Sequence, residues 1–219
     1  MSDFPITDDN RVRRLPKRGA YDKETVYGIV DDSLICHVGL IENERPVVIP
    51  TIHARDGDSI LLHGASTSRL LNHVAAGHDI CITVTHVDGL VLARSVFHHS
   101  MNYRSAVLFG KGRLIDEPEE KMKALEIFTE KLIPGRWDDA RQPTPNESKA
   151  TKIVAVDVDM ASAKVRVGPP GDDEEDYALD VWAGVLPMRT VFGRLEVDPL
   201  MKDGVPVPEY ITNYQATKR

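Results

Sequence analysis

Two stretches of the sequence concentrate side chains that can do chemistry. In LLHGASTSRLLNHV, Leu61 to Val74, an apolar strand runs into an apolar-periodic helix, and His63, Ser66, Thr67, Ser68 and Arg69 crowd the junction. The first turn of a helix has unpaired N–H groups and the positive end of the helix dipole. Hydroxyls of Ser66 and Ser68 converging there with the Arg69 fork make a phosphate site. The plainer reading of the same residues is an N-cap and a surface arginine. The glycine-rich dinucleotide pattern is absent. Gly110–Arg113 lacks Walker spacing, and GASTS lacks the second glycine of a nucleophile elbow.

The second stretch is SVFHHSMNYRSAVLFGKGR, Ser95 to Arg113. It reads as a connection at a barrel rim followed by a long strand from Ser105 to Ile115. His98 and His99, with Tyr103 and Arg104, raise metal or acid–base chemistry. Adjacent histidines on an extended chain point to opposite faces and chelate poorly. No carboxylate or cysteine stands nearby in the sequence, so the expectation is no metal.

The elements that must position these residues follow from periodicity and turn chemistry. A helix is predicted over Asp22–Asp31 with Asp22 as N-cap. Strands follow at 33–41, 46–54 and 58–63, with Asp56-Gly57 as a hairpin turn. A short helix spans 67–76 and stops at Gly77. A second hairpin joins 80–86 to 90–97 across Asp88-Gly89. An amphipathic helix spans Pro118–Leu132, and 134–148 reads as loop. Two strands, 152–159 and 161–167, pair across a turn near Met160. GPPGDDEED is a solvated acidic loop, a short element covers Tyr177–Val185, and a Pro-rich tail closes the chain. Hairpin-linked strands with a few helices predict an α+β, mainly β protein whose antiparallel sheet closes into a barrel.

The 219 residues are 42% hydrophobic, enough for one domain with a sizeable core. Residues 1–20 read as an extended or disordered arm, 21–190 as the barrel domain and 191–219 as a tail. A net charge of −7 argues against nucleic acid as a partner. No apolar run has the length of a membrane span. The polar start and the apolar surroundings of Cys36 and Cys81 predict buried free thiols in a reducing cytoplasm.

Three segments together resemble the pyridoxamine 5′-phosphate oxidase-like, FMN-binding split barrels, in particular the branch related to nitroimidazole-resistance proteins. They are RPVVIPTIHARDGDSILLHGASTSRLLNHVAAGHDICITV (Arg45–Val84), HHSMNYRSAVLFGKGR and VWAGVLPMR (Val181–Arg189), and the likeness covers roughly residues 11–190. The resemblance implies a split β-barrel with FMN held at a homodimer interface. Arg45, Val48, Ile49, Pro50 and Thr51 would line the ring and ribityl chain. His63, Ser66, Ser68 and Arg69 would hold the phosphate. Met101, Asn102, Tyr103, Arg104 and Ser105 would reach the flavin from the second subunit, and Trp182 would pack near the ring. His53 and His98 are acid–base candidates only in that they could face the ring, so no catalytic residue is assigned.

A lysine expected after Arg69 is Leu70, and a ring-proximal lysine is replaced by Pro50 or Thr51. The substrate implied is therefore an unidentified small molecule such as a nitroaromatic or quinone, not pyridoxamine phosphate. Three functions follow: an FMN-dependent oxidoreductase, a flavin-storage module without turnover, or a haem-binding split barrel suggested by eight histidines. A deazaflavin in place of FMN stays open.

Overall fold

Asp22 starts the first helix, α1 (Lys23–Asp32), by accepting from the Thr25 N–H at 2.7 Å. The N-cap oxygen satisfies one of the donors that the first turn leaves unpaired. The computed structural model describes residues 3–217; residues 1–2 of the expected arm and 218–219 of the expected tail lie outside the described residues. The buried face of α1, Val26, Tyr27, Ile29 and Val30, plugs a ring of strands.

The ring comprises β2 (Ile35–Glu42), β3 (Arg45–Asp56), β4 (Ser59–Ala65), β5 (Asp79–Leu92), β6 (Ser100–Ile115) and β7 (Thr151–Arg166), preceded by the two-residue β1 (Gly19–Ala20). The antiparallel order is β7-β4-β3-β2-β5-β6, and β6 pairs back onto β7. β1 adds to β7, and β8 (Gly184–Pro187) adds to β5. The fold is α+β and mainly β, as expected, with an irregular ring rather than a clean barrel. The helices outside it are α2 (Arg69–Ala75), α3 (Pro118–Leu132), α4 (Arg136–Asp139), α5 (Pro145–Ala150) and α6 (Glu209–Thr217).

Alternation along the strands sorts the side chains into two layers. Val38, Leu40, Ile82, Val84, Ala106 and Leu108 fill the ring around α1. On the outer face, Ala54, Leu61, Ile115, Ile153 and Ala155 pack beneath Ala124 and Phe128 of α3. The Asp56-Gly57 turn is as expected, with Asp56 opposite Ser59 and Gly57 at φ 60°.

Two expected hairpins are instead β-bulges. β5 runs through Asp88-Gly89: Val87 pairs with Tyr103 and Gly89 with Asn102, so Asp88 is the extra residue. β7 runs through Met160: Phe109 pairs with Met160 and Gly110 with Val158, so Asp159 is extra. A bulge bends a long strand and uses the same Asp and Gly types as a turn. The rim connection is also shorter than expected, since β6 already begins at Ser100. The 134–148 loop contains α4 and the start of α5, whose Thr144 and Glu147 form a capping box.

The N-terminal arm is extended but tethered. Phe4 is buried against Tyr27, edge to face at 5.7 Å between ring centroids. The buried Asn10 amide donates to the carbonyls of Pro5 and Ala161. Cys36 is buried and Cys81 half-buried, and both are free thiols. Burial pushes the Cys36 thiol up to about 12, so it stays protonated and inert. Among the described residues, no helix is long and apolar enough to cross a membrane.

Candidate functional site

β3 carries the first set of expected flavin contacts, and the ring divides them. Val47 and Ile49 pack on the core. Val48, two-thirds exposed, and Pro50 face outward with Ile41 and His37 of β2. Thr51 pairs with the buried Cys36 and faces inward, and Arg45 is exposed at the hairpin end. Gly39 stands between Val48 on one side and Cys81 on the other. A Cβ there would make only ordinary contacts, 3.5 Å from the Cys81 carbonyl oxygen. The sheet itself does not require a glycine here, and its effect is to leave a gap beside Val48. An apolar wall with a gap and polar edges is what a planar ring needs.

The second set, on β6, also splits. Tyr103 and Ser105 pair with Val87 and Thr85, on the same outer face as Val48 and Pro50. They are three strand spacings from β3, roughly 14 Å. Arg104 pairs with His86 and points to the other face. Its fork grips Asp88 through two 3.0 Å bonds and reaches Asp32 at 2.7 Å. Arg104 thus closes the bulge onto the end of α1, beside a cleft of about 570 Å³ also lined by His86, Met188 and Arg189. Asn102 is buried and donates to the Gly168 carbonyl while accepting from Arg166, so it holds a loop. Met101 and Trp182 are exposed. The Trp182 ring folds over Gly184 at the start of β8.

At the α2 junction, Ser68 is the N-cap and accepts from the Leu71 N–H. Ser66 is exposed and its N–H donates to Ala150 of α5. Arg69 pairs with Glu42 at 2.9 Å, and its side chain is 62% exposed. Such a surface pair is weak and easily exchanged for a stronger anion. The His63 ring packs on Phe128 of α3, with 4.2 Å between ring centroids. Burial holds its pKa down, and its buried Nδ1 has no partner among the described residues.

The acid–base candidates do not face a common site. His53 is fully buried, and its Nε2 bonds the Val30 carbonyl at 3.0 Å. Burial pushes its pKa down to about 4, so it is neutral at pH 7. His86 bonds the Ile29 carbonyl, and His99 accepts from the Ala93 N–H. His98 lies 3.2 Å from Asp173. The sequence expectation that no carboxylate stands near His98 is therefore corrected: the loop after β7 folds back and delivers one. His37 was not singled out in the sequence. Its only signal there was its alternation with the buried Cys36 and Val38.

The fold and this division of faces can be set beside known proteins. A sequence profile of the pyridoxamine 5′-phosphate oxidase family matches residues 22–165. The chain belongs to the pyridoxamine 5′-phosphate oxidase family. No curated protein matches it. Among solved structures, the flavocytochrome Anf3 from Azotobacter vinelandii is 42% identical, with a TM-score of 0.89 over 94% of this chain and 96% of that one. The FAD and heme binding protein from Mycobacterium smegmatis is 34% identical, with a TM-score of 0.87 over 90% and 97%. A chain from Bacteroides thetaiotaomicron VPI-5482, provisionally assigned to 5-nitroimidazole antibiotic resistance, is 26% identical, with a TM-score of 0.57 over 67% and 86%. The first two likenesses run well past residue 165 and take in the segment bearing β8, which the family profile does not reach.

Proposed function

We propose that this chain is a redox protein that holds a flavin and a haem in a homodimer and exchanges electrons with a small molecule. One observation carries the reading. Over nearly their whole length, two structures named for flavin and haem share this fold at 42% and 34% identity. The outer face of the ring supports it, since Val48, Ile41 and Trp182 are exposed in the single chain. A homodimer related by a two-fold axis would bring a second Tyr103 and Ser105 toward the first β3.

The FMN expected from the family resemblance is one half of FAD, and Ser66, Ser68 and Arg69 would meet a phosphate in either. The relative named for FAD favours the larger cofactor here. When bound, the flavin supplies one- and two-electron chemistry and the haem a one-electron centre. Val48 and Pro50 would pack on an apolar ring, with the Gly39 gap admitting its edge. His37, exposed on the same face, would offer its imidazole to the haem iron.

The experiment is pigment analysis and flavin titration of wild type, Arg69→Ala and His37→Ala. A charge-assisted hydrogen bond to phosphate contributes about 1.5–3 kcal/mol, so Arg69→Ala should weaken flavin binding about ten- to a hundred-fold. Riboflavin, without a phosphate, should bind the variant and the wild type alike. His37→Ala should lose the Soret band and keep the flavin spectrum. A wild-type protein purified with haem supplied and showing neither set of bands would refute the reading. Unchanged FMN and FAD affinity in Arg69→Ala would leave Ser68 and Arg69 as an ordinary cap and a surface ion pair.

A further inference from the structure

The 168–178 loop brings together an imidazole and two carboxylates that no part of the flavin and haem reading uses. Asp172 anchors it, accepting from the backbone N–H groups of Arg94 and Ser95 and from the Arg94 guanidinium. That anchor lays the next residues over the short turn Val96–His98. His98 Nε2 then lies 3.2 Å from Asp173 Oδ2, and the ligand atoms of His98, Asp173 and Asp176 all fall within 4.8 Å of one another. Arg94 is already matched by Asp172. Among the described residues, no lysine or arginine forms an ion pair with Asp173 or Asp176, and Glu174 and Glu175 add further negative charge.

Two carboxylates this close repel unless a cation is shared between them. We infer that His98, Asp173 and Asp176 form a binding site for a divalent first-row transition metal, with zinc the best fit. Two ligands at roughly 2.0–2.1 Å from one zinc ion subtend an edge of about 3.3 Å in a tetrahedron. The His98–Asp173 separation already has that length, and a side-chain rotation of Asp176 supplies the third ligand. An imidazole in the set selects zinc, nickel or cobalt over magnesium and calcium, which take oxygen donors. His98 would bind through Nε2 as the neutral imidazole, with its single proton on Nδ1. Three protein ligands leave an open position, and the exposed setting makes the ion exchangeable. Its physical effect is to tie the loop after β7 to the turn before β6.

The test uses the purified pigmented protein, stripped with EDTA and titrated with Zn²⁺ or Mg²⁺ by calorimetry. One Zn²⁺ per chain should bind and Mg²⁺ should not. His98→Gln and Asp176→Asn should each weaken Zn²⁺ by about tenfold or more, while Glu175→Gln should bind as wild type does. Absence of Zn²⁺ binding in the wild type overturns the inference. So does unchanged Zn²⁺ affinity in both His98→Gln and Asp176→Asn. A His98→Gln protein that loses its Soret band while binding Zn²⁺ as before would reassign this imidazole to haem and also overturn it. Flavin content serves as the check on folding throughout.

Discussion

In the proposed homodimer, Val48→Asp should yield a monomer that holds neither flavin nor haem. Val48 is 64% exposed on the outer face, while its neighbours Val47 and Ile49 anchor the strand in the core. An aspartate there stays solvated in a lone chain, so the ring should fold with a melting temperature close to that of the unloaded wild type. In a two-fold dimer the same position is used twice, so two unpaired carboxylates would be buried. An uncompensated buried charge costs on the order of 3–5 kcal/mol, and two should exceed what a standard interface can spare. Sedimentation with absorbance detection reads both mass and pigment. A pigmented Val48→Asp dimer would show that this face is not the interface.

Gly110→Ala should be among the most destabilising single substitutions in the chain. Gly110 lies at the bulge where β6 shifts register against β7. A Cβ there would stand 2.0 Å from the Asp157 carbonyl oxygen, a backbone atom that cannot swing aside. Relief requires the strand pair to separate, and ring closure depends on that pair. Overpacking against mobile side chains costs about 1–3 kcal/mol, and a rigid backbone partner should put this substitution at or above the top of that range. At roughly 2–4 °C per kcal/mol for a chain of this size, the melting temperature should fall by about 6–12 °C or more. Gly171→Ala, where a Cβ meets nothing within 4 Å, is the control. A Gly110→Ala melting temperature matching the control would mean that the bulge can open without cost.

The two bulges also explain which parts of the fold the sequence disclosed. The α1 cap at Asp22, the Asp56-Gly57 turn and α3 with Pro118 in its first turn were legible, because each depends on local chemistry that one segment decides alone. Asp88-Gly89 and the residues around Met160 offered the same local chemistry with a different outcome. Whether an Asp or a Gly ends a strand or bends it depends on the partner strand, and here β6 continues past both points.

The candidate site divides in the same way. Ser68 and Arg69 could be read from the start of a helix, since cap and charge are adjacent in sequence. The division of β6 into Tyr103 and Ser105 on one face and Arg104 on the other required the strand to begin at Ser100, which polar residues at 98–105 disguised as a loop. Arg104 finds its two carboxylates at Asp88, the bulge residue itself, 16 positions earlier, and at Asp32, 72 positions earlier. His98 found Asp173 through a loop anchored by Asp172, 75 residues away, with no periodicity to announce it.

Native mass spectrometry of the protein, purified after expression with a haem precursor, tests the central claim in one spectrum. The account predicts a species at twice the 24.4 kDa chain mass, plus two flavins and two haems. Loss of flavin and haem should accompany any dissociation to the single chain. A single chain that retains flavin and haem, or a dimer at its bare polypeptide mass, would contradict the account.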